Sequence, residues 1–151
     1  VVQTAITDAA ALAAAELAAT NAVATAEGSH LQADVDAAQT LVTALSAGTV
    51  KTDLQARIDV VQTAITDAAA LAAAKATAHT ALTDALASYT EADYTADNWT
   101  ALNAFKTDGD VAIDAAANLT AVSDAQTAAT TGMAGVETIA EADAAALAAA
   151  K

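Results

Sequence analysis

Two histidines, a short run of carboxylates and four aromatic side chains are the groups in this 151-residue chain that could do chemistry. His30 stands in a turn-like stretch, Glu27-Gly28-Ser29-His30, and His79 follows Lys75 by four residues. A metal centre or a general base needs partners at recurrent spacing, and the sequence places none beside either histidine. Both are expected to be structural, with Lys75 and His79 marking where a long helix leaves one bundle and enters the next. Asp108-Gly109-Asp110, followed by Asp114, has the outline of a calcium loop. An EF-hand loop requires an acidic residue at its twelfth position. Counted from Asp108 that position is Leu119, so the pattern lapses. The expectation is a loosened or kinked helical stretch with solvated carboxylates, and weak calcium binding through Asp108, Asp110 and Asp114 is the one cofactor reading. Tyr89, Tyr94, Trp99 and Phe105 fall within 17 residues. They read either as core anchors or as an exposed patch for a sugar or a partner protein, with Tyr89, Tyr94 and Trp99 as the candidate ligand contacts. No nucleophile, activating base or metal cluster emerges, so the chain reads as non-catalytic.

The elements that must carry these residues follow from composition. Ala accounts for 51 residues and Thr for 22, while Pro and Cys are absent. Alanine is the best helix former, and no proline interrupts it, which predicts an all-α fold. Alanine side chains bury little area, so the helices must approach closely along long seams. With 19 acidic against 5 basic residues the net charge is −14. That excludes nucleic acid, whose phosphates demand clustered Lys and Arg, and predicts an acidic, solvated exterior. A membrane span needs about 20 apolar residues with few charges. The stretches Ala9–Ala19 and Ala68–Ala74 meet Glu16 and Lys75, and no basic leader with a cleavage site precedes them. The expectation is a chain that does not insert into a membrane.

Self-similarity organises the rest. DAAALAAA occurs at Asp8–Ala15, Asp67–Ala74 and Asp143–Ala150. The first two copies lie inside a 15-residue identity, VVQTAITDAAALAAA, at Val1–Ala15 and Val60–Ala74. These offsets predict repeats over 1–59 and 60–136 and the start of a third over 137–151, as in a section cut from a longer array. Leu54, Ile58, Val61, Ile65, Ala68, Ala72, Lys75, His79, Leu82, Leu86 and Tyr89 alternate steps of four and three, a heptad-like seam. A helix from about Thr49 to Tyr89 would be ~60 Å long at 1.5 Å per residue. Shorter helices are expected over Val2–Ala26, Leu31–Ser46, from Thr95 or Asp97 through Ala116, and in one last helix from Val122 past Leu147. Gly132 and Gly135 weaken that last helix by about 1 kcal/mol each and mark a close approach or a bend. The predicted architecture is two tandem three-helix bundles sharing one long continuous helix, in an elongated rod.

Two stretches resemble known modules. YTADNW (Tyr94–Trp99), then Leu102 and Phe105, then NLTAV (Asn118–Val122) resemble the FIVAR module, a three-helix unit of Gram-positive cell-surface proteins. QADVDAAQTLVTALSAGTVKTDLQARIDVVQ (Gln32–Gln62) is similar to helical modules of S-layer and other surface-array proteins of bacilli. Both resemblances imply repetitive extracellular spacers of the cell surface, with sugar or host-protein binding as an occasional further role. Neighbouring repeats are the expected partners, and the alternatives are an adhesin for a cell-wall or host glycan or a host protein, or a self-associating fibre or lattice subunit. In the FIVAR resemblance Tyr94 and Trp99 are core anchors, and neither family brings a catalytic residue.

Overall fold

In the computed structural model, residues 2–150 are described. They form six α-helices and one 3-10 turn, with no strand among the described residues. The helices are α1 (Val2–Ser29), α2 (Gln32–Ala44), α3 (Thr49–Ala87), α4 (Ala96–Ala115), α5 (Leu119–Ala134) and α6 (Ile139–Ala149). The all-α expectation holds. The chain divides into two compact units, Val1–Ala69 and Ala70–Lys151, so the division falls inside α3.

The first unit is held by methyl groups. Ala19, Val23 and Ala26 of α1, Val35, Ala38 and Val42 of α2 with Leu45 after it, and Leu54, Ile58 and Val61 of α3 form one buried cluster. α1 runs through Glu27, Gly28 and Ser29, past the exit expected there. The chain turns instead at His30, which adopts φ 51°, a left-handed conformation that His tolerates better than most residues. Its amide still donates to the Ala26 carbonyl at 2.9 Å. α2 is two residues shorter at its C-terminal end than predicted, and the Lys51 ammonium caps it by donating to the carbonyls of Thr43 (2.6 Å) and Leu45 (2.8 Å). A lysine so placed satisfies carbonyls that the helix leaves unpaired.

α3 forms as predicted but ends at Ala87, and its seam is not continuous. Leu54, Ile58 and Val61 are buried and Ile65 packs beside them, after which Thr66–Ala70 are all exposed. Packing resumes at Leu71, Ala74, Ala78 and Leu82. Ala68 and Ala72 are therefore exposed rather than on the seam. The step of six from Ile65 to Leu71 breaks the four-three alternation. The volume of leucine decides the register here, since alanines offer equal methyls on every face.

The second unit buries Ala78, Leu82, Leu102, Ile113, Ala116, Val122, Ala129 and Met133, with Tyr89, Tyr94 and Trp99 packed against them. Thr95 caps α4 by accepting from the Asn98 amide, and Asn118 caps α5 by accepting from the Ala121 amide. α4 is an unbroken helix through Asp108-Gly109-Asp110, which corrects the expected kink. Gly109 is buried instead at a close approach: a Cβ there would stand 2.5 Å from the Ala129 Cβ and 2.8 Å from Leu82 Cδ1. A Cβ at Gly132 would meet the Phe105 ring at 2.4 Å. The single last helix predicted from Val122 onward is two helices. α5 stops at Gly135, its C-cap, and α6 starts afresh from a capping box in which Thr138 and Glu141 exchange side-chain and backbone bonds. These bonds hold the Glu141 carboxyl below its ordinary range.

The repeat extends beyond the identical letters. Shifted by 59 residues, Leu12 falls on Leu71, Ala19 on Ala78, Val23 on Leu82 and Ala26 on Ala85. Ala19, Val23, Ala78 and Leu82 are all buried, and Ala26 and Ala85 both face their cores. The identical stretch itself behaves differently in its two places. Val61 is buried and Leu71 half-buried, whereas Val2 and Leu12 are 75% and 45% exposed. One cause is local: α2 has 13 residues and α4 has 20, so α2 is two turns too short to cover Leu12.

Candidate functional site

The aromatic candidates come together where α3 ends and α4 begins. Tyr89 follows the last turn of α3, its amide donating to the Leu86 carbonyl. The 3-10 turn Glu91–Asp93 then brings Tyr94 back, and Trp99 rides on the first turn of α4. The Tyr89 and Tyr94 rings meet edge to face at 6.0 Å, and Tyr94 and Trp99 lie tilted at 6.3 Å. All three are half-buried against the core of the second unit. Partial burial, then the proximity of Tyr89, raises the Tyr94 hydroxyl above its ordinary pKa. Next to Trp99 in sequence, the Asn98 side-chain amide donates to the Glu137 carbonyl at 2.7 Å. Phe105 stands apart, 39% exposed over Gly132. It lines an open groove of ≈ 290 Å³ between α4 and α5, together with Asp108, Gly109, Ala125 and Ala129. A ligand pocket presents several convergent polar groups, and the only charged side chain in this groove is Asp108.

The three calcium candidates do not converge. Asp108 lines that groove, while Asp110 and Asp114, one turn apart, turn toward α3. Both carboxylate oxygens of Asp110 are taken: Oδ1 by His79 Nδ1 at 2.7 Å and Oδ2 by the Lys106 ammonium at 2.6 Å. Asp114 Oδ1 lies 3.0 Å from His79 Nε2, and its backbone carbonyl accepts from Lys75 at 2.8 Å. No group of three or more His, Cys, Asp or Glu suited to a metal is found among the described residues. The two carboxylates raise the His79 pKa, Asp110 first and Asp114 second. Partial burial works to raise Asp110, but Lys106 and His79 outweigh it and hold its carboxyl below the usual range. His79 was legible in the sequence as an oddity on an apolar seam. Its partners lie 31 and 35 residues away, and the i, i+4 spacing of Asp110 and Asp114 was the available clue.

The first unit uses other polar groups. Arg57 grips Glu27 through two parallel bonds of 2.8 and 2.7 Å, a bidentate fork. This pair lowers the Glu27 pKa and raises that of Arg57. Gln32 and Gln62 exchange amide bonds of 2.7 and 2.9 Å, and Gln39 and Gln55 exchange bonds of 2.7 and 2.8 Å. In the sequence only the seven-residue spacing, Gln32 to Gln39 and Gln55 to Gln62, marks these pairs. His30 is exposed in the α1–α2 turn.

The 28 residues of α1 include an 18-residue window of mean hydropathy 1.3, long and apolar enough to cross a membrane. The shorter stretch Ala9–Ala19 considered from sequence understated it. Spanning would withdraw Ala19, Val23 and Ala26 from the core of the first unit and place Asp8 or Glu16 in hydrocarbon, at about 2.5–3.5 kcal/mol for a carboxylate near the bilayer centre. Compared with models of known families, with curated proteins and with solved structures, the chain matches none.

Proposed function

We propose that this chain is a non-catalytic spacer and assembly segment of a repetitive bacterial cell-surface protein, of the S-layer or wall-anchored kind. In this reading two tandem three-helix bundles share α3 and form an elongated rod outside the cell. Continuous helix sets distance, and acidic faces keep neighbouring rods apart. The observation that carries the proposal is the 59-residue shift that superimposes buried positions: Ala19 with Ala78, Val23 with Leu82. Repetition of a packing plan is what a spacer requires. The cell-surface location in this proposal rests on the resemblance of Tyr94–Val122 to FIVAR modules and of Gln32–Gln62 to S-layer modules. Neighbouring repeats are the partners, and the exposed apolar residues Val2, Ile6, Leu12, Ile139 and Leu147 are where they would pack.

Small-angle scattering tests the shape. A compact globule of this length has a radius of gyration of about 15 Å. The spacer reading expects a clearly larger value, and a value near 15 Å overturns it. The adhesin reading draws on the half-exposure of Tyr89, Tyr94 and Trp99. Glycan binding that Trp99→Ala abolishes without loss of helicity would replace the spacer with an adhesin. A lattice or fibre subunit would instead sediment as an oligomer, with or without millimolar calcium.

A further inference from the structure

His79 is engaged on both ring nitrogens by α4, at 2.7 Å from Asp110 and 3.0 Å from Asp114. An ionised carboxylate offers acceptors only. A neutral imidazole carries one N–H, and only the imidazolium carries two. The two bonds therefore coexist only when the ring is protonated. We infer that His79 is a proton-operated clasp between α3 and α4, closed on both carboxylates when charged and released from Asp114 when neutral.

The surroundings decide which bond survives. Asp110 is anchored independently by Lys106 at 2.6 Å and is 26% exposed, whereas the side chain of Asp114 is 74% exposed and has no second side-chain partner among the described residues. Deprotonation leaves one N–H for Asp110 and turns a lone pair toward Asp114, near the C-terminal end of α4. The charged groups facing the ring are Lys75 on its own helix and Lys106, Asp110 and Asp114 on α4. Asp124, the one titratable residue of α5, makes no ion pair or hydrogen bond with it among the described residues. At the equivalent place in the first unit stands Thr20, whose hydroxyl donates to the Glu16 carbonyl and cannot titrate.

The sign follows from linkage. The folded pKa of His79 is raised above 6.5. Its contribution is complete below that unfolded value and is lost as pH rises through the folded one. Asp110 is lowered below 3.8, so its contribution is present above that value and is lost as pH falls through the folded one. The clasp is thus tightest in mildly acidic solution, between the ordinary carboxylate and imidazole values.

Nitrogen NMR of the intact chain tests this. At low pH both His79 ring nitrogens should carry protons, and the ring should titrate above 6.5. Asp114→Asn should lower that pKa, and Asp110→Asn should lower it further. In urea, Trp99 fluorescence reports the second unit. From about pH 5.5 to about pH 9 its unfolding constant should rise tenfold for each unit by which the folded pKa exceeds the unfolded one. His79→Gln should remove that component. A His79 pKa at or below 6.5, or an identical pH dependence in His79→Gln, overturns the clasp. The titration of the unsubstituted chain decides the matter even if an Asp variant fails to fold.

Discussion

The two units share a packing plan and differ in what locks it. In the first, a core of alanine, valine, leucine and isoleucine is flanked by reciprocal glutamine pairs and the Glu27–Arg57 fork. Amides do not titrate, and arginine stays charged at any pH the fold will meet. In the second, three half-buried aromatics, a glycine contact between α4 and α5 and the His79 cluster take over. An alanine-rich core obtains specificity from these additions. Methyl groups are alike on every face, so they fix proximity without register. Register must come from a few larger or polar groups, and the same helical plan accepts either set.

Truncation at the equivalent core positions should cost the most. Leu82→Ala should cost about 2–5 kcal/mol, because Leu82 is fully buried. Val23→Ala, losing two carbons instead of three, should cost about 2 kcal/mol. Chemical denaturation with hydrogen exchange resolved by unit checks both. Equal losses would break the comparison, showing that the Leu82 site collapses around the smaller side chain.

The glycines come next. Alanine at either position gains about 1 kcal/mol of helix propensity, but overpacking costs about 1–3 kcal/mol. At Gly109 the obstruction is the Ala129 Cβ, which cannot rotate away, so Gly109→Ala should lower the melting temperature. At Gly132 the obstruction is the ring of Phe105, already 39% exposed and free to swing outward. Gly132→Ala should be neutral or stabilising. Gln39→Ala should cost about 0.5–1.5 kcal/mol, and that cost should be the same at about pH 5.5 and about pH 9. That constancy sharpens the contrast with His79.

Much of this fold was legible in the letters. Alanine content and the absence of proline gave the helices, Gly48 and Thr95 gave boundaries, and the repeated VVQTAITDAAALAAA gave the internal duplication. The misses have physical causes. α5 and α6 read as one helix because Val122, Met133, Val136, Ile139 and Leu147 continue an apolar pattern. The Gly135 cap and the Thr138–Glu141 capping box override it. The seam of α3 read as continuous because alanine fits any register, and only Leu71 reveals the shift. Gly109 read as a loosening, since a sequence does not show that Ala129 stands against it. The His79 cluster depends on residues more than 30 positions apart, a distance over which spacing alone says little.

α3 stays helical through the exposed stretch Thr66–Ala70. Backbone carbon chemical shifts of the isotope-labelled chain measure this most directly. Cα and carbonyl shifts of Thr66–Ala70 should take helical values, unbroken from those of Leu54–Ile65 before them to those of Leu71–Leu82 after. Random-coil shifts across Thr66–Ala70 would split α3 into two helices and contradict that continuity.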